Sequence, residues 1–530
     1  MKIRYKIASL LLMVIMLGFS ACTEDLDTEP LDDDEITPVS VYEDAEGYKQ
    51  VLAKLYGGLT LTGQQGPAGM PDLDPSFDEG FSSYLRAYWT HQELPTDEAV
   101  IAWNDPGLPA MNYATWGASN GWINTMYNRI YFQITLCNEL VRESTDGKLS
   151  DRGITGEDRE AVKTYRSEAR FLRAFSYWHA IDMFGTVPFV TEDDDVGSFE
   201  PSQRSRSEVF EYIENELLDI LENGSLKEPQ QNEYGRIDKA AVWMLLSKLY
   251  LNAEVYTGTP RYEDAMTYAE RVINSPYQLD PDYQHLFLAD NHTADGIIFP
   301  VISDGENAQS YGGMNFIIHA AVGGEMNATE DFGIGGGWGG PRITKQFYNQ
   351  FNDTGNDNRA LFFTQGQSLE IPDVTEFTNG YAVSKFKNVT SEDEAGSVPG
   401  FVDTDWPVFR IAEAYLTYAE AALRAGSNTD KALTYVNEVR DRAFDGDAGQ
   451  ITSGELDLDF ILAERARELY WEGKRRTDLI RFGEFTGDNY LWAWKGGTQE
   501  GSSIPDYYNL FPIPAADLNA NSNLEQNPGY

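Results

Sequence analysis

Cysteine is almost missing from this chain: 530 residues hold two, Cys22 and Cys137. Cys22 closes an apolar leader, so Cys137 has no intramolecular partner and a disulfide scaffold is excluded. Cys137 lies in a helical stretch, MYNRIYFQITLCNELV, and reads as a small buried residue. Basic residues are scarce too, with 40 Lys and Arg against 85 Asp and Glu, a formal net charge of −45. A surface with that bias repels phosphate, which argues against nucleic acid and against electrostatic docking on anionic lipid. The five histidines, His91, His179, His285, His292 and His319, have no HExxH or paired-cysteine spacing, so a catalytic zinc site is unsupported. A G-x-S-x-G elbow and a Walker loop are absent as well. Gly335, Gly337 and Gly340 formally satisfy G-x-G-x-x-G, yet NATEDFGI before them offers no buried strand, and a dinucleotide fold is rejected. A glycosidase needs only two carboxylates, which this composition supplies freely. Such enzymes are normally built on β-rich scaffolds, whereas the periodic segments here are helical.

A long apolar run occurs only at the start. Lys2, Arg4 and Lys6 precede an apolar stretch from Ile7 to Phe19, the layout of an export signal. It is too short to span a membrane in the mature protein. Ser-Ala-Cys at its end resembles a bacterial lipobox, with Phe19 where Leu is more usual. Residues 1–21 are therefore expected to be a lipoprotein signal peptide and Cys22 the lipidated first residue. Two or more acyl chains suffice for stable anchoring. The following TEDLDTEPLDDDE cannot pack as a core, and residues 22–40 read as an acidic tether.

Beyond the tether, helical patterning recurs in pairs. Ala161, Tyr165, Ala169, Leu172, Phe175, Trp178 and His179 share a helical spacing from about Asp158 to Phe184. IDKAAVWMLLSKLYLNAEVY with YEDAMTYAERVIN makes another pair, and FRIAEAYLTYAEAALRAGS with TDKALTYVNEVRDRA a third. Residues 121–144 are expected to pair with 158–183. An Ala-rich first helix, a short turn and a second helix resemble the tetratricopeptide unit, whose hairpins must stack to close a core. The predicted fold is mainly α, a superhelical scaffold over about 41–56, 121–275 and 406–485 within a domain spanning 41–530. A loop-rich lobe takes about 57–120, 276–405 and 486–530, where Gly, Asn, Asp, Pro and aromatics lack helical periodicity.

Three stretches carry a family resemblance: RSEARFLRAFSYWHAIDMFGTVPFVTE, ERARELYWEGKRRTDLIRFGEF and FPIPAADLNANSNLEQNPGY. With the lipobox and the helix pairs, they resemble the SusD/RagB family of outer-membrane nutrient-binding lipoproteins. The resemblance covers the mature chain. It implies a tetratricopeptide-like scaffold, a cell-surface position on the outer membrane, and a SusC-type TonB-dependent transporter as partner. The implied ligand is a glycan, starch or malto-oligosaccharides first, with fructan or, as in RagB-type relatives, peptide as alternatives. Read on their own, the motifs are architectural. Arg475, Arg476 and Arg481 are expected to pair with Glu464, Glu468 or Glu472. In the terminal segment two prolines forbid helix and the last Tyr can plug a groove.

Sugars suit an aromatic platform flanked by groups that bond ring hydroxyls. DEGFSSYLRAYWTHQELPTDEAVIAWNDPGLP supplies Asp78, Arg86, Trp103 and Asn104, with Asn112 a competitor for the amide role. This segment resembles the glycan-contacting stretch of starch-binding members, where an Asp and an Arg eight residues later precede a stacking Trp. Trp338 stands among glycines with little bulk to hide its indole, and resembles a second stacking Trp. Tyr311 would complete an arc. No cofactor motif is present; acidic loops leave room for a structural calcium near Asp290 and Asp405.

Overall fold

The Ala-rich periodic stretches fold as the helices their spacing predicts. A computed structural model describes residues 38–73, 80–197, 200–351 and 355–530. Residues 1–21, read as a signal peptide, Cys22, nearly all of the stretch read as a tether, and Asp78 lie outside the described residues. In chain order the longer helices begin with α1 (Ala45–Gly57), α2 (Tyr84–Gln92), α3 (Gly121–Glu143), α4 (Gly156–Phe184) and α5 (Arg206–Asn223). They continue with α6 (Lys239–Leu251), α7 (Tyr262–Ile273), α8 (Gly313–Ala321), α9 (Ile411–Ala425), α10 (Thr429–Ala443), α11 (Leu458–Leu469) and α12 (Arg475–Phe482). None among the described residues is long and apolar enough to cross a membrane.

Stacking follows from which faces are apolar. Helix α7 buries Ala265, Met266, Ala269 and Val272, a single stripe, and packs between α6 and α9. Helices α6 and α9 are buried almost all round, which is what the middle of a stack of hairpins requires. Helix α3 lies along α4, and α9 along α10. Side-chain caps fix several starts: Asp44 accepts from Gly47 N, and Ser205 with Glu208 forms a capping box. Gly426 ends α9 in the left-handed region at φ +65°. Cys137 is fully buried in α3, and burial pushes its thiol up to about 12.

Strands are few and short. Strand β1 (Val100–Ile101) pairs antiparallel with β3 (Pro341–Arg342), and β2 (Ile297–Val301) with β4 (Trp406–Arg410). The β2/β4 pair ties the 276–405 segment to the start of α9, and β1/β3 ties the 57–120 segment to it in turn. Two of the longer helices depart from the expected loop-rich lobe. Helices α2 and α8 lie inside segments read as loop because each is short and buried on nearly every side, so no amphipathic period marks it.

The charged C-terminal motif is architectural, but its expected partners are wrong. Glu464 accepts from Arg359 and Arg440 at 2.7 Å and from Arg467 at 2.6 Å. Glu468 accepts from Arg442 at 2.6 Å and Arg410 at 3.0 Å, and Glu472 from Arg410 and Lys385 at 2.7 Å. The arginines expected to meet them turn elsewhere. Arg475 binds Asp97 at 2.7 Å, Arg476 donates to the Asn509 carbonyl at 2.7 Å, and Arg481 binds Glu420 at 2.6 Å and Asp478 at 2.7 Å. The break at Tyr470–Lys474 between α11 and α12 separates the two halves, so their acids and arginines do not lie on one helical face. The terminal segment also differs: a short helix, Ala515–Ala520, starts directly after Pro514, where proline lacks only a bond the helix start does not make. Tyr530 does tuck inward, donating to the Leu510 carbonyl at 2.7 Å and accepting from Trp116 Nε1 at 2.8 Å.

Candidate functional site

Ser83 organises the floor of the site. Its hydroxyl caps α2 by accepting from Arg86 N at 3.3 Å and also accepts from Gly313 N at 2.9 Å, joining the starts of α2 and α8. Arg86, the one residue of α2 not fully buried, thereby enters a cage of aromatic rings. Its guanidinium carbon lies 4.4 Å from the Phe316 centroid, 5.3 Å from Trp122 and 5.8 Å from Trp103. A guanidinium so placed is attracted by ring faces and holds them in register.

The β1/β3 pairing delivers Trp103. Ala102 N donates to the Gly340 carbonyl at 3.1 Å, carrying the next residue onto the 338–340 loop. Trp103 Nε1 donates to the Trp338 carbonyl at 3.3 Å. Its ring lies so close to Gly340 that a β-carbon there would stand 2.8 Å from Trp103 Cζ2. Phe316 meets the indole edge-on, centroids 5.9 Å apart at 63°. Trp103 is thus half-buried, packed against Phe316 and Gly340.

Trp338 is the more open indole, 37% exposed. Its loop is laced to the end of α8: Trp338 N donates to the His319 carbonyl at 2.7 Å, Gly339 N to Val322 at 2.9 Å and Gly340 N to Ala320 at 2.7 Å. Beneath it the His319 ring is stacked, centroids 4.9 Å apart and planes 24° from parallel. His319 Nδ1 donates to the Gly336 carbonyl at 2.8 Å. Burial lowers the pKa of this imidazole below the ordinary histidine value, which keeps it neutral. Tyr311, two residues before α8, is 39% exposed and tilts against Phe401 at 5.3 Å. From Gly313 to His319 the helix rises about 9 Å at ~1.5 Å per residue, so Tyr311 and Trp338 flank the two ends of α8.

The sequence-predicted residues therefore divide. Arg86 and Trp103 come together around Phe316, Trp338 joins them through its carbonyl bond from Trp103 and its stacking on His319, and Tyr311 stands at the far end of the same helix. Asn104 follows Trp103 and is exposed, whereas Asn112 is buried with its Oδ1 accepting from Ile101 N at 3.1 Å. Asp78 lies outside the described residues. Phe316 and His319 carry no periodic signal of a site role, since GMNFIIHAA is short and buried at every position.

Asp290 and Asp405 both line one cavity, and each carboxylate is engaged by donors of the chain itself. Asp290 accepts from Ser391 N and Oγ. Asp405 accepts from Ser303 N at 2.8 Å and from the Tyr234 hydroxyl at 2.7 Å, and burial pushes its carboxyl up to about 7. Among the described residues no group of three or more His, Cys, Asp or Glu is placed to hold a metal ion.

Chemically, the site offers the open Trp338 indole face, with Tyr311 exposed at the other end of α8, the means to stack on a flat polar ligand. Comparison with known proteins agrees with this architecture. The profile of the SusD family matches residues 338–530. The chain is 34% identical to the starch-binding protein SusD of Bacteroides thetaiotaomicron, covering 100% of this chain and 99% of that one. It is 27% identical to SusD-like protein P2 of Formosa agariphila, over 79% and 83% of the two chains. A SusD superfamily protein from Bacteroides thetaiotaomicron superposes with a TM-score of 0.71 at 21% identity, over 92% of this chain and 100% of that one. Surface glycan-binding protein A from the same organism, solved with laminarihexaose, gives 0.68 at 22% identity, over 91% and 99%. At such identities the likeness is one of fold.

Proposed function

Because the chain belongs to the SusD family, we propose that it is a non-catalytic glycan-binding protein of the cell surface that hands captured oligosaccharides to a SusC-type TonB-dependent transporter. An α-glucan, starch or malto-oligosaccharide, is the preferred ligand. The observation that carries the reading is the Trp338 indole, open on one face and backed by His319 on the other, beside the Arg86–Trp103–Phe316 cage. Stacking on the apolar face of a sugar ring needs such a platform, and neighbouring donors and acceptors orient the hydroxyls. The starch-binding relative, similar over its whole length, supports the choice of glucan.

Affinity gels containing starch, and calorimetry with maltoheptaose, test this on protein lacking residues 1–22. Retardation and a saturable heat are expected; neither, or retardation by inulin alone, overturns the α-glucan assignment. Prolonged incubation should release no reducing ends, since the chain is read as a binder and not a hydrolase. Anchoring through Cys22 is tested by metabolic palmitate labelling of the full chain, which Cys22→Ser should abolish. Delivery predicts that a TonB-dependent transporter copurifies from solubilised outer membranes.

A further inference from the structure

Tyr234 combines exposure with rigidity. It is 49% exposed, yet its hydroxyl is tied at 2.7 Å to Asp405, itself buried. The other Asp405 oxygen accepts from Ser303 N at 2.8 Å, directly after the exposed Ile302. One buried carboxylate thus holds both exposed apolar residues. Gly235 has φ +84°, and Ile302 Cδ1 lies 2.8 Å from where its β-carbon would stand. Tyr234, Gly235 and Ile302 form one fixed apolar ridge, with little ordering left to lose on contact.

Cavities flank the ridge on both sides. One, of about 520 Å³, is lined by Asp290, His292, Asp304, Asn307 and Asp403. Its lining holds many oxygen acceptors and, among the described residues, no Lys or Arg. The other, of about 320 Å³, runs between α1 and β2 past Leu52, Tyr56 and Val301 to Thr60 and Ala308. Thr60 and Ala308 also border a small cavity reached by Asn315 and Phe401, and Phe401 packs on Tyr311. Besides Met70 and Val196, the large apolar side chains exposed among the described residues are Tyr234, Ile302, Tyr311 and Trp338. Shared neighbours link Tyr234 and Ile302 to Tyr311, and α8 leads from Tyr311 to Trp338; exposed apolar side chains grouped in this way mark a contact site.

We propose that the Tyr234–Ile302 ridge is a second glycan subsite, taking the continuation of a neutral chain whose first rings stack at Trp338 and Tyr311. The inference rests on the glycan reading above. Tyr234 supplies the stacking face, and the acceptor-rich cavity beside it suits hydroxyl donors while repelling phosphate, sulfate or uronate groups.

Calorimetry with maltotriose and maltoheptaose, and gels containing starch, inulin or laminarin, decide the matter for wild type and for Tyr234→Ala, Ile302→Ala, Tyr234→Phe and Trp338→Ala. Tyr234→Ala and Ile302→Ala should leave maltotriose affinity unchanged and weaken maltoheptaose and polymer about five- to tenfold, the low end of one stacked ring. Tyr234→Phe, which keeps the ring but loses the hydroxyl bond to Asp405, should fall between wild type and Tyr234→Ala. Trp338→Ala should weaken every ligand. Ile302→Ala leaves the Asp405 hydrogen bonds intact, so a shared loss cannot be misfolding. If both ridge variants bind long chains like wild type while Trp338→Ala does not, the subsite is overturned and the glycan reading stands. Failure of wild type to bind any of the polysaccharides overturns both. A lysine-rich peptide that binds wild type but not Tyr234→Ala would make the ridge a cation-recognition site and overturn the subsite.

Discussion

His319 lies beneath Trp338 ring to ring, centroids 4.9 Å apart, while its Nδ1 holds the Gly336 carbonyl at 2.8 Å. One indole face is therefore occupied by protein, and only the other can meet a ligand. Replacing Trp338 with Ala should lower sugar affinity by about 1–3 kcal/mol without altering the far-ultraviolet circular dichroism. His319→Ala, which leaves the indole in place but unsupported, should lose about 1 kcal/mol. His319→Phe should recover most of it, as calorimetry will read, because the backing is the ring and not its charge.

Trp103 should behave differently from Trp338. It is half-buried between Phe316 and Gly340, so Trp103→Ala removes packing as well as ligand contact. We expect a stability loss of roughly 2–4 kcal/mol, below that of emptying a full aromatic core site, together with weaker binding. Gly340→Ala places a β-carbon 2.8 Å from the indole and should displace Trp103. Chemical denaturation and calorimetry on the same samples separate the two effects.

Buried carboxylates of opposite behaviour shape the pH profile. Burial alone would raise Glu468, but Arg442, Arg410 and Arg359 more than reverse this and hold it at about 2. Its contribution is complete above the ordinary value of 4.5 and is lost as pH falls toward 2. Glu93 is the opposite case: burial pushes it up to about 7, so its contribution is present below 4.5 and lost as pH rises through 7. The thermal midpoint should fall on both sides of mildly acid pH. Glu93→Gln should lessen the decline between pH 4.5 and 7 without abolishing it, because burial raises Glu98 and Asp405 as well, and should leave the acid limb unchanged. Glu468→Gln takes from Arg442 the carboxylate it binds, and one partner each from Arg410 and Arg359, which keep Glu472 and Glu464, and should cost about 3–5 kcal/mol.

Cys137 is expected to be silent in the folded protein. Fully buried, with a thiol near 12, it presents no thiolate to reagents at neutral pH. Iodoacetamide should leave native protein lacking residues 1–22 unlabelled and add one group after denaturation, as mass spectrometry will count.

Periodicity made the long helices legible. The 158–184 stretch, both members of the 411–443 pair and the α6/α7 pair lie where apolar spacing put them, because an amphipathic helix writes its buried face into the sequence. The indole at Trp338 was legible for the opposite reason, an aromatic among glycines having nothing local to pack on. Helices α2 and α8 were not legible, since a short helix buried on all sides has no polar face to set its period.

Sequence alone determined the helical class, the burial of Cys137, the acidic surface and the identity of the aromatic candidates, all of which follow from composition and local spacing. Tertiary structure alone decided which acid each arginine meets, that Arg475 and Arg481 bind Asp97 and Glu420 instead of Glu464, Glu468 or Glu472, and that His319 stands behind Trp338. Such choices depend on which segments are brought within a few ångströms of each other, and separation along a chain of this length carries no record of that distance.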